Sequence, residues 1–320
     1  MRTLLRSGVA LVAAAALGAG MVMGGSALSG KDDSNGLKGQ PATASQIYLD
    51  EIKDYGVCRG VDPSCYHEWG NGWKEGEAKK VLIWSRTAGP RHAHLGTPLA
   101  PGINPPLVEN NVAQATLVKW AAERGITADY TEDLTKFNLR DYQAVIFMSS
   151  NRDTLDDTAQ TTLMQYIRGG GGFVGIHNAF GAEYSWPYYE GLLGGANFYN
   201  HGPNRDGTVE TINGEDVSTS FMPETWAFKD EWYNLVPYPS FVNVLLEVDE
   251  ATSGATVAGH GESHPVSWCQ YYDGGRAWLT TLGHDAAAWT DAPLAGDEFF
   301  KQHVMEGLES AMGIKPFCAA

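Results

Sequence analysis

What this sequence has little of narrows it first. Basic residues are scarce: 22 Lys and Arg stand against 38 Asp and Glu in 320 residues, a formal net charge of −16. No basic cluster stands out, so the chain has no electrostatic footing on a phosphate backbone, and no nucleic acid is expected as a partner. The acids are spread thinly, which serves solubility. No apolar run reaches the roughly 20 residues of a membrane-spanning helix, so no stable membrane association is expected. Cysteine is held to four residues, Cys58, Cys65, Cys269 and Cys318, none at zinc-finger spacing. No internal repeat period shows.

The start of the chain reads as a cleavable signal peptide over residues 1–27. Arg2 and Arg6 are followed by an uncharged run from Val9 to Val22 and by the small residues Gly25-Ser26-Ala27. No Cys stands at the cleavage point, which argues against a lipid-anchored form. Cleavage removes two Arg and takes the net charge to about −18. A secreted chain with an even Cys count predicts two disulfides. Three pairings are open; a local bridge Cys58–Cys65 around Gly60 and Pro63 leaves Cys269–Cys318 to tie down the C-terminal tail. Leu28 to Gln46 reads as a disordered lead. Gln46 to Gly76, with Ile47, Tyr48, Ile52 and Tyr55, reads as a small Cys-bearing extension, so the lead and extension fill 28–77 and the main domain 78–320.

Within that domain, strand and helix patterns alternate. Lys80–Trp84, Tyr142–Met148 and Phe173–Ile176 are short apolar runs without alternation, as strands buried on both faces require. Val108–Arg124, with Gly125 at its stop, and a segment capped by Thr154 with its apolar face on Leu155, Ala159, Leu163, Tyr166 and Ile167, read as helices. Pro265–Tyr272 and Arg276–Leu282, joined by Asp273-Gly274-Gly275, read as a hairpin. A helix over Gly296–Met312 closes the chain. The pattern predicts an α/β fold with a mostly parallel sheet and helices on both faces.

Open parallel sheets bind ligands at the carboxyl ends of their strands, and much of the chain's histidine falls there. His177 directly follows a predicted strand and precedes a turn, where core packing does not require an imidazole; His284 has the matching place after its own run. His92 and His94 lie in a Pro- and Gly-rich loop, where solvent exposure is the plain alternative. His201 and Asp230-Glu231 complete the set, the acids being equally readable as a solvated pair. Several His with a carboxylate suit a divalent metal, zinc or manganese, although no single stretch has ligand spacing. The aromatic residues Tyr184, Trp186, Tyr188 and Tyr189 either stack on sugar rings or fill the core.

The stretch Gly170 to Ala179, the segment Trp186-Pro187-Tyr188-Tyr189-Glu190-Gly191-Leu192-Leu193-Gly194-Gly195, His201, Asp230-Glu231-Trp232-Tyr233, and Pro265-Val266-Ser267-Trp268 through Leu282-Gly283-His284 together resemble the ThuA-like family, named for trehalose utilisation. Arg91-His92 resembles that family's Arg-His after its first strand. The similarity runs from about Lys80 to Ile314. It implies a flavodoxin-like fold related to class I glutamine amidotransferases, and a place in sugar uptake and breakdown, including that of 3-keto glycosides. Those amidotransferases carry a nucleophilic Cys at the strand-to-helix turn. Here that turn carries His177, so a thioester route, and with it glutaminase activity, is not expected. Asn178 after the His, and the long 86–106 loop, depart from the family's usual pattern.

The expected function is therefore a secreted, ThuA-like protein acting on a small carbohydrate, a glycoside or keto-sugar, by hydrolysis or elimination. His177, Glu231 and His284 are the candidate catalytic groups. His92, Asn178, Trp186, Tyr188, His201 and Asp230 are the candidate substrate contacts, and His177, His201 and His284 the candidate metal ligands. No nucleotide cofactor is expected, since a diffusible nicotinamide would be awkward outside the cell. The alternative reading is a non-catalytic glycan-binding module resting on the aromatic cluster.

Overall fold

The computed structural model describes residues 56–254, 259–290 and 296–319. The signal segment, the polar lead and Tyr48, Ile52 and Tyr55 lie outside the described residues.

The first half of the main sheet is parallel. Strands β2 (Lys80–Trp84), β3 (Thr127–Thr131), β4 (Ala144–Met148), β5 (Gly172–Ile176) and β12 (Gly275–Thr280) lie in the order β3-β2-β4-β5-β12. Successive side chains of a strand point to opposite faces, and both faces are covered. Val81, Ile83, Ala144, Ile146, Val174 and Ile176 pack with helices α1 (Val112–Glu123) and α4 (Asp297–Met312). Leu82, Trp84, Val145, Phe147 and Phe173 pack with α2 (Asp157–Arg168) and α3 (Pro187–Leu192). Double coverage is why these strands read as unbroken apolar runs. The α/β fold expected from the sequence is present.

Beyond β12 the sheet continues antiparallel through β11 (Pro265–Tyr272), β10 (Asn243–Asp249), β7 (Arg205–Thr211) and β8 (Thr225–Asp230). A two-stranded sheet of β6 (Phe198–His201) and β9 (Tyr233–Leu235) lies beside it. The hairpin β11–β12 falls where the sequence predicts it. Strands β3 and β6 to β10 carry no sequence signal comparable to that of β2, β4 and β5: β3 is a polar edge strand, Thr-Ala-Asp-Tyr-Thr, with β2 as its partner.

Two helix starts are corrected. The first helix begins at Val112, because Asn111 takes the Val108 N–H on its side chain and donates to the carbonyls of Leu95 and Thr97. The second is capped by Asp156, whose carboxylate accepts the Ala159 N–H, in place of Thr154. Thr154 is drawn inward: its N–H donates to the buried Glu183 at 2.6 Å, and its hydroxyl accepts from the Trp84 indole.

The Cys-bearing extension is sewn to the amino edge of the sheet. Strand β1 (Arg59–Gly60) pairs with the end of β11. Asn71 donates to the Tyr166 carbonyl at 2.8 Å and Trp73 to that of Met312 at 2.9 Å, so the extension satisfies the exposed ends of α2 and α4. Both disulfides form, Cys58–Cys65 and Cys269–Cys318, which fits an oxidising environment. Among the described residues no helix is long and apolar enough to cross a membrane.

Candidate functional site

At the carboxyl edge of β5 the chain turns at once into His177, held at φ +51°. A non-glycine residue in this left-handed region is a costly placement that a fold keeps only under firm constraint. The constraint here is visible. His177 is fully buried, and its Nδ1 lies 2.8 Å from the Thr281 carbonyl oxygen, just beyond β12. A carbonyl cannot donate, so Nδ1 carries the proton and Nε2 presents a lone pair to the space above the sheet.

Three other segments bring groups to that lone pair. His92 Nε2 lies 3.2 Å from His177 Nε2, and His284 Nδ1 lies 3.3 Å from it. Glu231, just past β8, places Oε2 2.9 Å from His284 Nδ1 and 4.0 Å from His177 Nε2. The Tyr233 hydroxyl reaches His177 Nε2 at 2.9 Å. Ligand atoms of His92, His177, Glu231 and His284 all lie within 4.8 Å of one another.

Each group is held from behind. Arg91 donates to the carbonyls of Gly96 (2.6 Å) and Leu95 (3.0 Å) and pairs with Glu132 at 2.7 Å, which folds the 86–106 loop so that His92 reaches the cluster. His94 is a strut: one ring nitrogen faces the His284 carbonyl and the other the Ser149 hydroxyl, both at 2.8 Å. Gly283, at φ +113°, makes the turn that leads into His284. Asp230, fully buried, accepts N–H groups from Gly283 (2.6 Å), His284 (3.2 Å) and Glu231 (2.8 Å). Its carboxylate therefore ties the Glu231 segment to the His284 segment.

The electrostatics divide the imidazoles. Burial, with His94 and His284 adding to it, pushes His92 down to about 3. Burial pushes His94 down to about 4 and holds His177 well below the usual histidine range. Burial also works against a charged His284, but the hydrogen bond and charge of Glu231 outweigh it and raise its pKa. Burial pushes Asp230 up to about 7 against the pull of its N–H donors.

The four converging groups fit a divalent cation. Ligand bonds of about 2.0–2.2 Å put neighbouring donor atoms roughly 3–3.5 Å apart; the Glu231–His284, His92–His177, His177–His284 and His177–Glu231 separations are 2.9, 3.2, 3.3 and 4.0 Å, and all four donors lie within 4.8 Å. Imidazole and carboxylate together suit zinc or manganese.

The expected residues separate as follows. His177, Glu231, His284 and His92 come together. His201, expected as a ligand, stands behind Glu231, 3.6 Å from its other oxygen, and His92 takes the place it was given. Asp230 supports from below, with no exposed surface for a substrate. Asn178 is buried with its side chain over Gly181. Tyr188 is corrected to a core residue: its hydroxyl donates to Asp273 in the β11–β12 turn, at the opposite, amino edge of the sheet. Trp186 stacks on Tyr188 and Tyr189, their centroids 5.4 and 6.2 Å away. Tyr188 and Tyr189 serve packing because α3 must cover the sheet, while Trp186 and Tyr184 stay half-buried. Tyr233 and the Thr281 carbonyl were missed. Tyr233 is two residues after Glu231, a spacing that puts both on one side of an extended segment, but only a known strand there makes the pair readable.

The fold has known counterparts. The family model described as ThuA, trehalose utilisation, matches residues 80–311. A crystal structure of a ThuA-like protein from Bacteroides uniformis superposes with a TM-score of 0.56 at 21% identity, covering 74% of this chain and 92% of that one. One from Parabacteroides merdae also gives 0.56, at 17% identity, covering 74% and 91%. No protein with a curated description matches. The match over residues 80–311 places the chain in the ThuA, trehalose utilisation, family.

Proposed function

We propose that this protein is a secreted enzyme of carbohydrate utilisation that breaks a glycoside or keto-sugar bond by hydrolysis or elimination. The observation that carries this reading is the convergence of three imidazole nitrogens and one carboxylate oxygen, from four separate segments, within 4.8 Å. His92, His177, Glu231 and His284 would hold a divalent cation, which when bound supplies Lewis-acid polarisation of a sugar oxygen. The chain's own groups do the rest. His177 is oriented by Thr281, and the Glu231–His284 pair, 2.9 Å apart, shares a proton until the cation takes both donor atoms. Export accounts for the paired cysteines, and a small carbohydrate met outside the cytoplasm fits the family's description.

The test is a screen of trehalose, other disaccharides and their 3-keto forms, with zinc or manganese added back, on wild type and His177→Ala. Turnover should vanish in the variant while its melting curve stays cooperative. Stoichiometric metal in purified wild type, lost in the variant, supports the ligand assignment. Undiminished turnover in His177→Ala sinks the reading, and saturable sugar binding without turnover or metal favours the glycan-binding module.

A further inference from the structure

Tyr233 aims a hydroxyl at the nitrogen a cation would use. Its ring lies over the His177 imidazole with centroids 4.5 Å apart, and its OH is 2.9 Å from Nε2. Since Nδ1 of His177 is committed to the Thr281 carbonyl, Nε2 can only accept, and the phenol is the donor. A single lone pair serves one partner at a time: it takes the O–H proton or it binds the ion.

The hydroxyl is also firmly placed. Phe198 packs on the Tyr233 ring at 4.5 Å and His201 at 5.7 Å. The backbone of β9 is gripped from its other side by two imidazoles. His264 Nε2 donates to the Tyr233 carbonyl at 2.9 Å, and His260 Nε2 accepts the Leu235 N–H at 2.8 Å. His264 is itself anchored by Glu250 at 2.6 Å. The strand therefore keeps the phenol over the cluster.

We propose that Tyr233 is a positioning residue that competes with the cation for His177 Nε2, making the ion exchangeable instead of permanently bound. This rests on the cation site proposed above. A residue that merely supported the site would weaken ion binding when truncated; a competitor strengthens it.

The experiment strips the mature chain with a chelator and titrates zinc against a chromophoric chelator for wild type, Tyr233→Phe and His177→Ala. A protein hydrogen bond is worth a net 0.5–1.5 kcal/mol, so Tyr233→Phe should bind zinc about 2- to 13-fold tighter. Manganese should move in the same direction, because the contest is for a lone pair and not for one metal. Unchanged or weaker binding in Tyr233→Phe overturns the proposal. His177→Ala should lose at least about tenfold in affinity; wild-type affinity in that variant overturns the cation site itself, so the two failures are read on different proteins.

Discussion

His177 Nδ1 lies 2.8 Å from the Thr281 carbonyl oxygen, and this contact sets which nitrogen of a fully buried imidazole faces the cluster. The same residue sits at φ +51°. The left-handed conformation costs an ordinary residue about 1–2 kcal/mol and glycine much less. His177→Gly is therefore expected to unfold at higher denaturant than His177→Ala, by about 1 kcal/mol, although both lose ion binding. Urea melts of the two variants decide it; an alanine variant at least as stable as the glycine variant rejects strain at this position.

Asp230 answers three backbone N–H groups with one carboxylate. An amide in its place sets an NH2 against donors. Asp230→Asn is expected to lose about 1–3 kcal/mol of stability and to weaken zinc binding, because Glu231 and His284 are no longer held together. A variant with native zinc affinity shows that these segments keep their places without the carboxylate.

Arg91 holds its loop through several carbonyls and the Glu132 carboxylate at once. Lysine keeps the charge but lacks the fork. Arg91→Lys is expected to lower zinc affinity by about 10-fold or more, as groups behind a metal ligand commonly do. Calorimetric titration measures it.

His303 lies far along α4, fully buried, between the Ser218 carbonyl at 2.7 Å and the Ser267 hydroxyl at 2.8 Å. Burial pushes its pKa from 6.5 down to about 4. The unfolded chain then takes up a proton at higher pH than the folded one. Stability from keeping this imidazole neutral is whole above about pH 6.5 and drains away as pH falls toward 4. His94 and His92, lowered in the same sense, add to the slope. The urea midpoint should fall across that window, and fall less steeply in His303→Gln. Equal slopes for the two proteins remove His303 from the account.

Cys269–Cys318 closes a span of 49 residues and Cys58–Cys65 one of seven. Loop-closure entropy makes the longer bridge worth about 4 kcal/mol and the shorter about 2–3. Cys318→Ser should therefore lower the melting temperature more than Cys58→Ser. The reverse order points to the seam between β1 and β11 as the more dependent on its bridge.

Much of the parallel core was legible in the chain. Strands β2, β4 and β5 are buried on both faces, and that demand writes itself as unbroken apolar runs such as Val81-Leu82-Ile83-Trp84. The hairpin announced itself through Asp273-Gly274-Gly275 because a tight turn needs those residue types. Placing His177, and with it His284, at strand ends likewise needed only local pattern, and the spaced motifs were enough for the family.

Tertiary structure decided the rest. Which histidines meet is a matter of loop path: His92 comes in from residue 92 because Arg91 folds its loop, whereas His201 stops behind Glu231. The aromatic motif could have faced sugar or core, and α3 turned Tyr188 and Tyr189 to the core, where Tyr188 finds Asp273 at the amino edge. Tyr233 gained its place from β9, a three-residue strand whose backbone is held by His260 and His264. Local residue pattern determines elements, because burial and turn geometry act within a few residues. The site joins positions 92, 177, 231 and 284, and the distances between them exist only once the sheet has closed.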